Sequence, residues 1–228
     1  MLIILIIVFG VLSYTVSSRL KSKFGKYQQV MVGMSGAEAA QKMLHDNGIY
    51  DVTICSTEGS LTDHYNPSNK TINLSNDVYY GRNISAVAVA AHETGHAVQH
   101  ATAYGPLELR TMLVPLQNVS AKVLNIIFWA MLIGSIALQG ALPYTFALQI
   151  IIAAYAIFTL FAFVTLPVEI NASQRAVAWL TNTGIVNGET REYAIDALKW
   201  AAYTYVVAAL SSLATLLYYV WQLVGRRD

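Results

Sequence analysis

Two histidines stand four residues apart at His92 and His96, and Glu93 directly follows the first. On an α-helix four residues turn the chain by about 400° and raise it by roughly 6 Å, so both imidazoles leave one face, one turn apart. From there both can reach a Zn²⁺ at roughly 2.0–2.1 Å. Glu93 lies about 100° round the helix from His92, too displaced to share that ligand position but near enough to hold a metal-bound water. The residue types suit metal-assisted hydrolysis: two neutral nitrogen ligands and one carboxylate to take the water's proton. The plain alternative is a helix carrying two ordinary histidines. The flanks argue against it. Ser85-Ala-Val-Ala-Val-Ala-Ala91 and Ala97-Val98 enclose the polar trio in a proline-free run with good helix formers. Three polar groups in such a helix are buried without partners unless something such as a metal satisfies them. Gly95 weakens that helix by about 1 kcal/mol relative to alanine, which the close approach of a second backbone would explain.

A catalytic zinc takes three protein ligands and keeps one position for water. His100 continues the four-residue spacing, but on a straight helix it stands about 12 Å from His92, beyond the reach of one ion. A metzincin would place its third histidine at position 102, which is Thr102, and position 99 is Gln99. The remaining candidates are His45, His64 and the carboxylates.

The elements that must position these residues are unusual for a soluble domain. Charged residues make up 12% of the 228 and apolar residues 55%, against about 25% charged in a typical soluble chain. Residues 1–18 carry no charged side chain, and Arg19, Lys21, Lys23 and Lys26 follow at once. A cleaved signal peptide would carry its positive charges before the apolar run, so 1–18 reads as an uncleaved transmembrane anchor. Val123 to Val168 contains no charge, about 69 Å of helix and enough for two crossings. Gly140-Ala-Leu-Pro143 breaks it near the centre, so 123–166 reads as a transmembrane hairpin. Residues 201–224 form a fourth apolar stretch.

The loops at 19–122 and 167–200 hold most of the Lys and Arg, which places both on the cytoplasmic side of an inner (plasma) membrane crossed several times. Arg226 and Arg227 argue weakly the other way. The hairpin leaves the cytoplasmic side after the His92 helix and returns to it just before Pro167-Val-Glu169, so topology favours Glu169 as the third ligand. An acid at the end of a span is costly unless bound or paired; pairing with Arg175, or a place in the first turn of the next helix, is the competing explanation.

Within 19–122, Ser35 caps a helix over Gly36–Asn47 that ends at Gly48. Asp51–Cys55 reads as a strand, and Leu61–Tyr65 and Thr71–Leu74 read as a hairpin about Asn66–Lys70. The expected architecture is therefore a mainly α integral membrane protein, with about four transmembrane helices and a small α+β cytoplasmic domain. The single cysteine, Cys55, allows no intramolecular disulfide, in keeping with a reducing compartment.

The segments His92-Glu-Thr-Gly-His-Ala-Val-Gln-His100 and Leu166-Pro-Val-Glu-Ile-Asn-Ala-Ser-Gln-Arg-Ala176 resemble the YugP-type neutral zinc metallopeptidases of bacterial membranes, and the likeness extends over almost the whole chain. A more distant likeness is to the HtpX-type membrane proteases and prenyl-protein endopeptidases, whose third ligand is the Glu of Glu-x-x-Ala-Asp. The resemblance implies a zincin-like domain with a gluzincin site: His92, His96 and Glu169 on one zinc per chain, and Glu93 as general base. The departure is at Ser173, where the distant motif has Asp. That Asp orients a zinc histidine, a role usually worth tenfold or more; Asn171, Asp63 or Asp77 are the expected substitutes.

The expected activity is zinc-dependent hydrolysis of protein or peptide substrates at the membrane, with His64, His100, Arg175 or a tyrosine as donor to the developing oxyanion. A non-hydrolytic zinc-binding scaffold is the alternative, and it leaves Glu93 without a purpose. A transporter is disfavoured because the spans hold no charge to mark a path. Nucleic acid is excluded as a partner by a net charge of +1 and basic residues gathered at the membrane edge.

Overall fold

The computed structural model describes residues 1–137 and 143–225. Its elements run α1 (Leu2–Tyr27), α2 (Gly36–Asp46), β1 (Thr53–Thr57), β2 (His64–Asn66), β3 (Thr71–Ser75), α3 (Asn76–Tyr79), α4 (Ile84–Ala101), α5 (Gly105–Ala137), α6 (Tyr144–Asn182) and α7 (Gly188–Val224). Among the described residues α1, α5, α6 and α7 are long and apolar enough to cross a membrane. Each overruns the uncharged stretch that announces it: α1 continues past Arg19, α6 past Val168, and α7 starts before Ala201. A helix satisfies its own backbone in lipid and in water alike, so a change of medium need not end it. The expected turn at Gly140–Pro143 lies, apart from Pro143, outside the described residues, as do Arg226 and Arg227.

The chain forms two compact units. One comprises Met1–Ser13, Leu109–Thr165 and Tyr205–Asp228. Its small interior is mainly apolar, with Ile127, Leu148 and Ala154 buried along with the hydroxyl residues Ser120, Thr159 and Thr165, while Ile126, Phe128, Leu217 and Trp221 are exposed. Apolar exposure on this scale is the mark of a surface made for something other than water. An apolar cleft of about 530 Å³ in this unit, with Leu148, Tyr155 and Tyr219 in its wall, contains neither His nor Glu.

The other unit, Tyr14–Glu108 with Leu166–Thr204, holds the histidines and the sheet. Ser35 opens α2 through a capping box: its hydroxyl accepts from the Glu38 N–H at 3.2 Å, and Glu38 accepts from the Ser35 N–H at 2.8 Å. The inward face of α2, Ala39, Ala40, Met43 and Leu44, joins Ile72, Val78, Val87 and Leu180 in the core. The sheet order is β1-β3-β2, with β3 parallel to β1 and antiparallel to β2. Tyr65 lies opposite Ile72 in the hairpin register, which leaves β2 at the edge. The hairpin is the expected one, but β2 starts at His64 and not Leu61, because Gly59 (φ +98) and Leu61 (φ +58) bend the chain just before it.

Asn83 caps α4 by accepting the Ala86 N–H at 3.0 Å. Buried along nearly its whole length, α4 has the all-round apolar character of a central helix, and its few polar side chains must find partners inside the protein.

Candidate metal centre

Gly95 determines how near α6 comes to α4. A Cβ placed there would meet the Ala172 carbonyl oxygen at 2.8 Å and its Cα at 3.2 Å. The glycine therefore lets two backbones approach where any side chain would hold them apart. On α4 the residues three before and one after it are His92 and His96, and on α6 Ala172 is flanked by Glu169 and Ser173. The crossing brings these groups face to face.

One Glu169 carboxylate oxygen lies 3.3 Å from His92 Nε2 and 3.5 Å from His96 Nε2. One potential ligand atom from each of the three residues falls within 4.8 Å of the others. Donors about 2.1 Å from a tetrahedral ion stand roughly 3.4 Å apart, and the two Glu169 distances match that spacing. Glu169 is 2% exposed and His96 7%. A carboxylate so deeply buried requires a cation, a proton or strong donors, and two imidazoles with a metal between them meet that need.

Burial disfavours the His96 imidazolium, but Glu169, helped by Glu93 and Gln99, outweighs it and moves the His96 pKa upward. The pocket thus favours positive charge.

His92 Nδ1 lies 3.1 Å from the Ser173 hydroxyl, so Ser173 itself backs that ring. His96 Nδ1 lies 2.9 Å from Gln99 Oε1. The substitutes expected from sequence are elsewhere. Asn171 bonds the Gln99 amide at 3.0 Å and the Arg175 Nε–H at 2.8 Å. Asp63 accepts from the Ser75 N–H at 2.7 Å, and Asp77 is exposed in the first turn of α3.

Glu93 accepts a hydrogen bond from the Tyr65 N–H at 3.0 Å, so the edge strand β2 lies directly beside it. Tyr65 also pairs its hydroxyl with His100 Nδ1 at 2.8 Å. His64 is exposed, with Nδ1 2.8 Å from the Thr62 carbonyl, and His45 is exposed on α2 beside Gln41. The structure thus brings together His92, His96, Glu93 and Glu169; His100 approaches through Tyr65 and Arg175 through Asn171. Sequence reasoning missed Gln99 and Tyr65. Gln99 was legible in principle, since it lies three residues after His96 on the same helical face; Tyr65 depends on a strand position no local pattern specifies.

A buried His–His–Glu cluster in a chain with four candidate membrane helices defines, as a class, a membrane-type helical protein with a candidate metal centre. The sequence model of the family described as "Putative neutral zinc metallopeptidase" matches residues 2–224, and the chain belongs to that family. It is 42% identical over 220 residues to the "Putative membrane protease YugP" of Bacillus subtilis (strain 168), an alignment that covers 95% of this chain and 94% of the relative. No solved structure matches it.

Proposed function

We propose that the chain is a zinc-dependent endopeptidase that cleaves protein or peptide substrates at the cytoplasmic face of the inner membrane. The observation that carries this reading is the convergence of His92, His96 and Glu169 on one buried point, with Glu93 on the same helix. Membership of a zinc metallopeptidase family and likeness to a membrane protease support it. The basic residues of 19–122 and 167–200 support the cytoplasmic orientation.

His92, His96 and Glu169 would hold the ion, which when bound would lower the pKa of a water and polarise the scissile carbonyl. Glu93 takes the proton of the attacking water and passes it to the leaving amine. Before substrate arrives the Glu93 carboxylate is oriented by the Tyr65 N–H. The β2 edge that supplies this donor can also take an extended peptide by strand addition. Tyr65 and His100, which pair with each other beside Glu93, serve as donors to the oxyanion.

The scaffold reading has one observation in its favour: the Glu93–Tyr65 bond gives Glu93 a structural task as well. Glu93→Gln separates the two readings, because the amide oxygen still accepts from Tyr65. Peptide hydrolysis by the detergent-purified variant falls about 10²–10⁴-fold with zinc content unchanged if Glu93 is the base. No cleavage by either protein on a broad peptide library favours the scaffold, whereas cleavage by the variant at the wild-type rate removes Glu93 as the base.

A further inference from the structure

Gln99 is fully buried and has a partner for each end of its amide. Its Nε2 lies 2.8 Å from the Val168 carbonyl and 3.0 Å from Asn171 Oδ1, and its Oε1 lies 2.9 Å from His96 Nδ1. The orientation follows from chemistry. A backbone carbonyl can only accept, so the NH₂ group must face Val168. Asn171 Oδ1 is held as an acceptor in turn by Arg175, which can only donate. Two fixed partners on α6 therefore turn Oε1 towards His96. An amide oxygen has no proton to give, so His96 carries a proton on Nδ1, and in the neutral ring that a metal requires the Nε2 lone pair is the one directed at Glu169.

His92 has no comparable constraint. Its Nδ1 partner is the Ser173 hydroxyl, which can donate or accept. Building on the zinc reading above, we infer that Gln99 is a positioning residue that sets the metal-binding tautomer of His96 and ties that ring to the backbone beside Glu169. One side chain thereby aligns ligands from two helices, and His96 and Glu169 form the prearranged half of the centre.

The test compares zinc affinity, by chelator competition on the full-length chain in detergent, for wild type, Gln99→Met and Gln99→Glu, with thermal melting of each. Gln99→Met keeps the length of the side chain but neither hydrogen-bonding end, and it weakens zinc binding about 10–100-fold. Gln99→Glu keeps the acceptor for His96 but sets a carboxylate against the Val168 carbonyl, so it melts lower than wild type while binding zinc within about threefold of it. That split between stability and affinity is what a filler role would not produce. Zinc binding that tracks melting in both variants, or Gln99→Met binding like wild type, overturns the inference.

If Gln99→Met does not fold, nitrogen-15 NMR of histidine-labelled, zinc-loaded wild type decides. A His96 Nδ1–H signal protected from exchange is expected, and its absence is contrary. A wild type that binds no zinc, or binds it equally after His92→Ala, defeats the zinc reading and this inference together. A wild type that binds zinc beside an unaffected Gln99→Met defeats this inference alone.

Discussion

Ser173 and Gln99 face the two histidines with different chemistry, and the difference has a measurable consequence. A hydroxyl 3.1 Å from His92 Nδ1 accommodates either tautomer, whereas an ionised carboxylate can only accept. Ser173→Asp should therefore hold His92 with its proton on Nδ1 and strengthen zinc binding by about tenfold. Chelator competition measures it; unchanged or weaker binding would mean that the hydroxyl already suffices, or that the added charge disturbs Glu169. The same residue marks the limit of sequence reading at this scale. His92, Glu93 and His96 announce themselves by helical spacing, and Glu169 by its place at the end of an uncharged run. The partners behind the imidazoles do not, because a serine or glutamine acquires its role only when a second helix meets it.

At the scale of elements the centre depends on the α4–α6 crossing. Gly95→Ala would gain about 1 kcal/mol of helix propensity. It would also put a methyl carbon 2.8 Å from the Ala172 carbonyl oxygen, and such overpacking costs about 1–3 kcal/mol. The clash should win: the variant melts below wild type and binds zinc more weakly, because Glu169 moves off with α6. A variant that melts higher with full affinity would show that the crossing has slack. A glycine in an otherwise favourable helix hinted at a close approach, but only the fold identifies Ala172 as the neighbour. The β2–β3 hairpin was likewise legible from Asn66–Lys70, whereas the start of β2 was not, because a non-glycine residue such as Leu61 at φ +58 leaves no mark in composition.

For the whole molecule, four apolar helices and the distribution of Lys and Arg are the basis of the proposed topology, with residues 19–122 inside the cell. Cys55, the single thiol, is partly exposed on β1 and reports on this without mutation. A membrane-impermeant maleimide should leave it unmodified in sealed right-side-out vesicles and modify it in inside-out ones; the reverse pattern would invert the topology. The helical character was the most legible property of the chain, since charge-free runs are long and unambiguous. The full lengths of α1, α6 and α7 were not, because each continues into residues whose polarity no longer signals a span.

If His92, His96 and Glu169 share one zinc, the metal content of the purified protein depends on all three. Zinc per chain should be about one in detergent-purified wild type and in Glu93→Gln, and should fall clearly in both His92→Ala and Glu169→Ala. Full zinc in Glu169→Ala beside loss in His92→Ala would remove Glu169 from the centre, and no zinc in wild type after reconstitution would contradict the account as a whole.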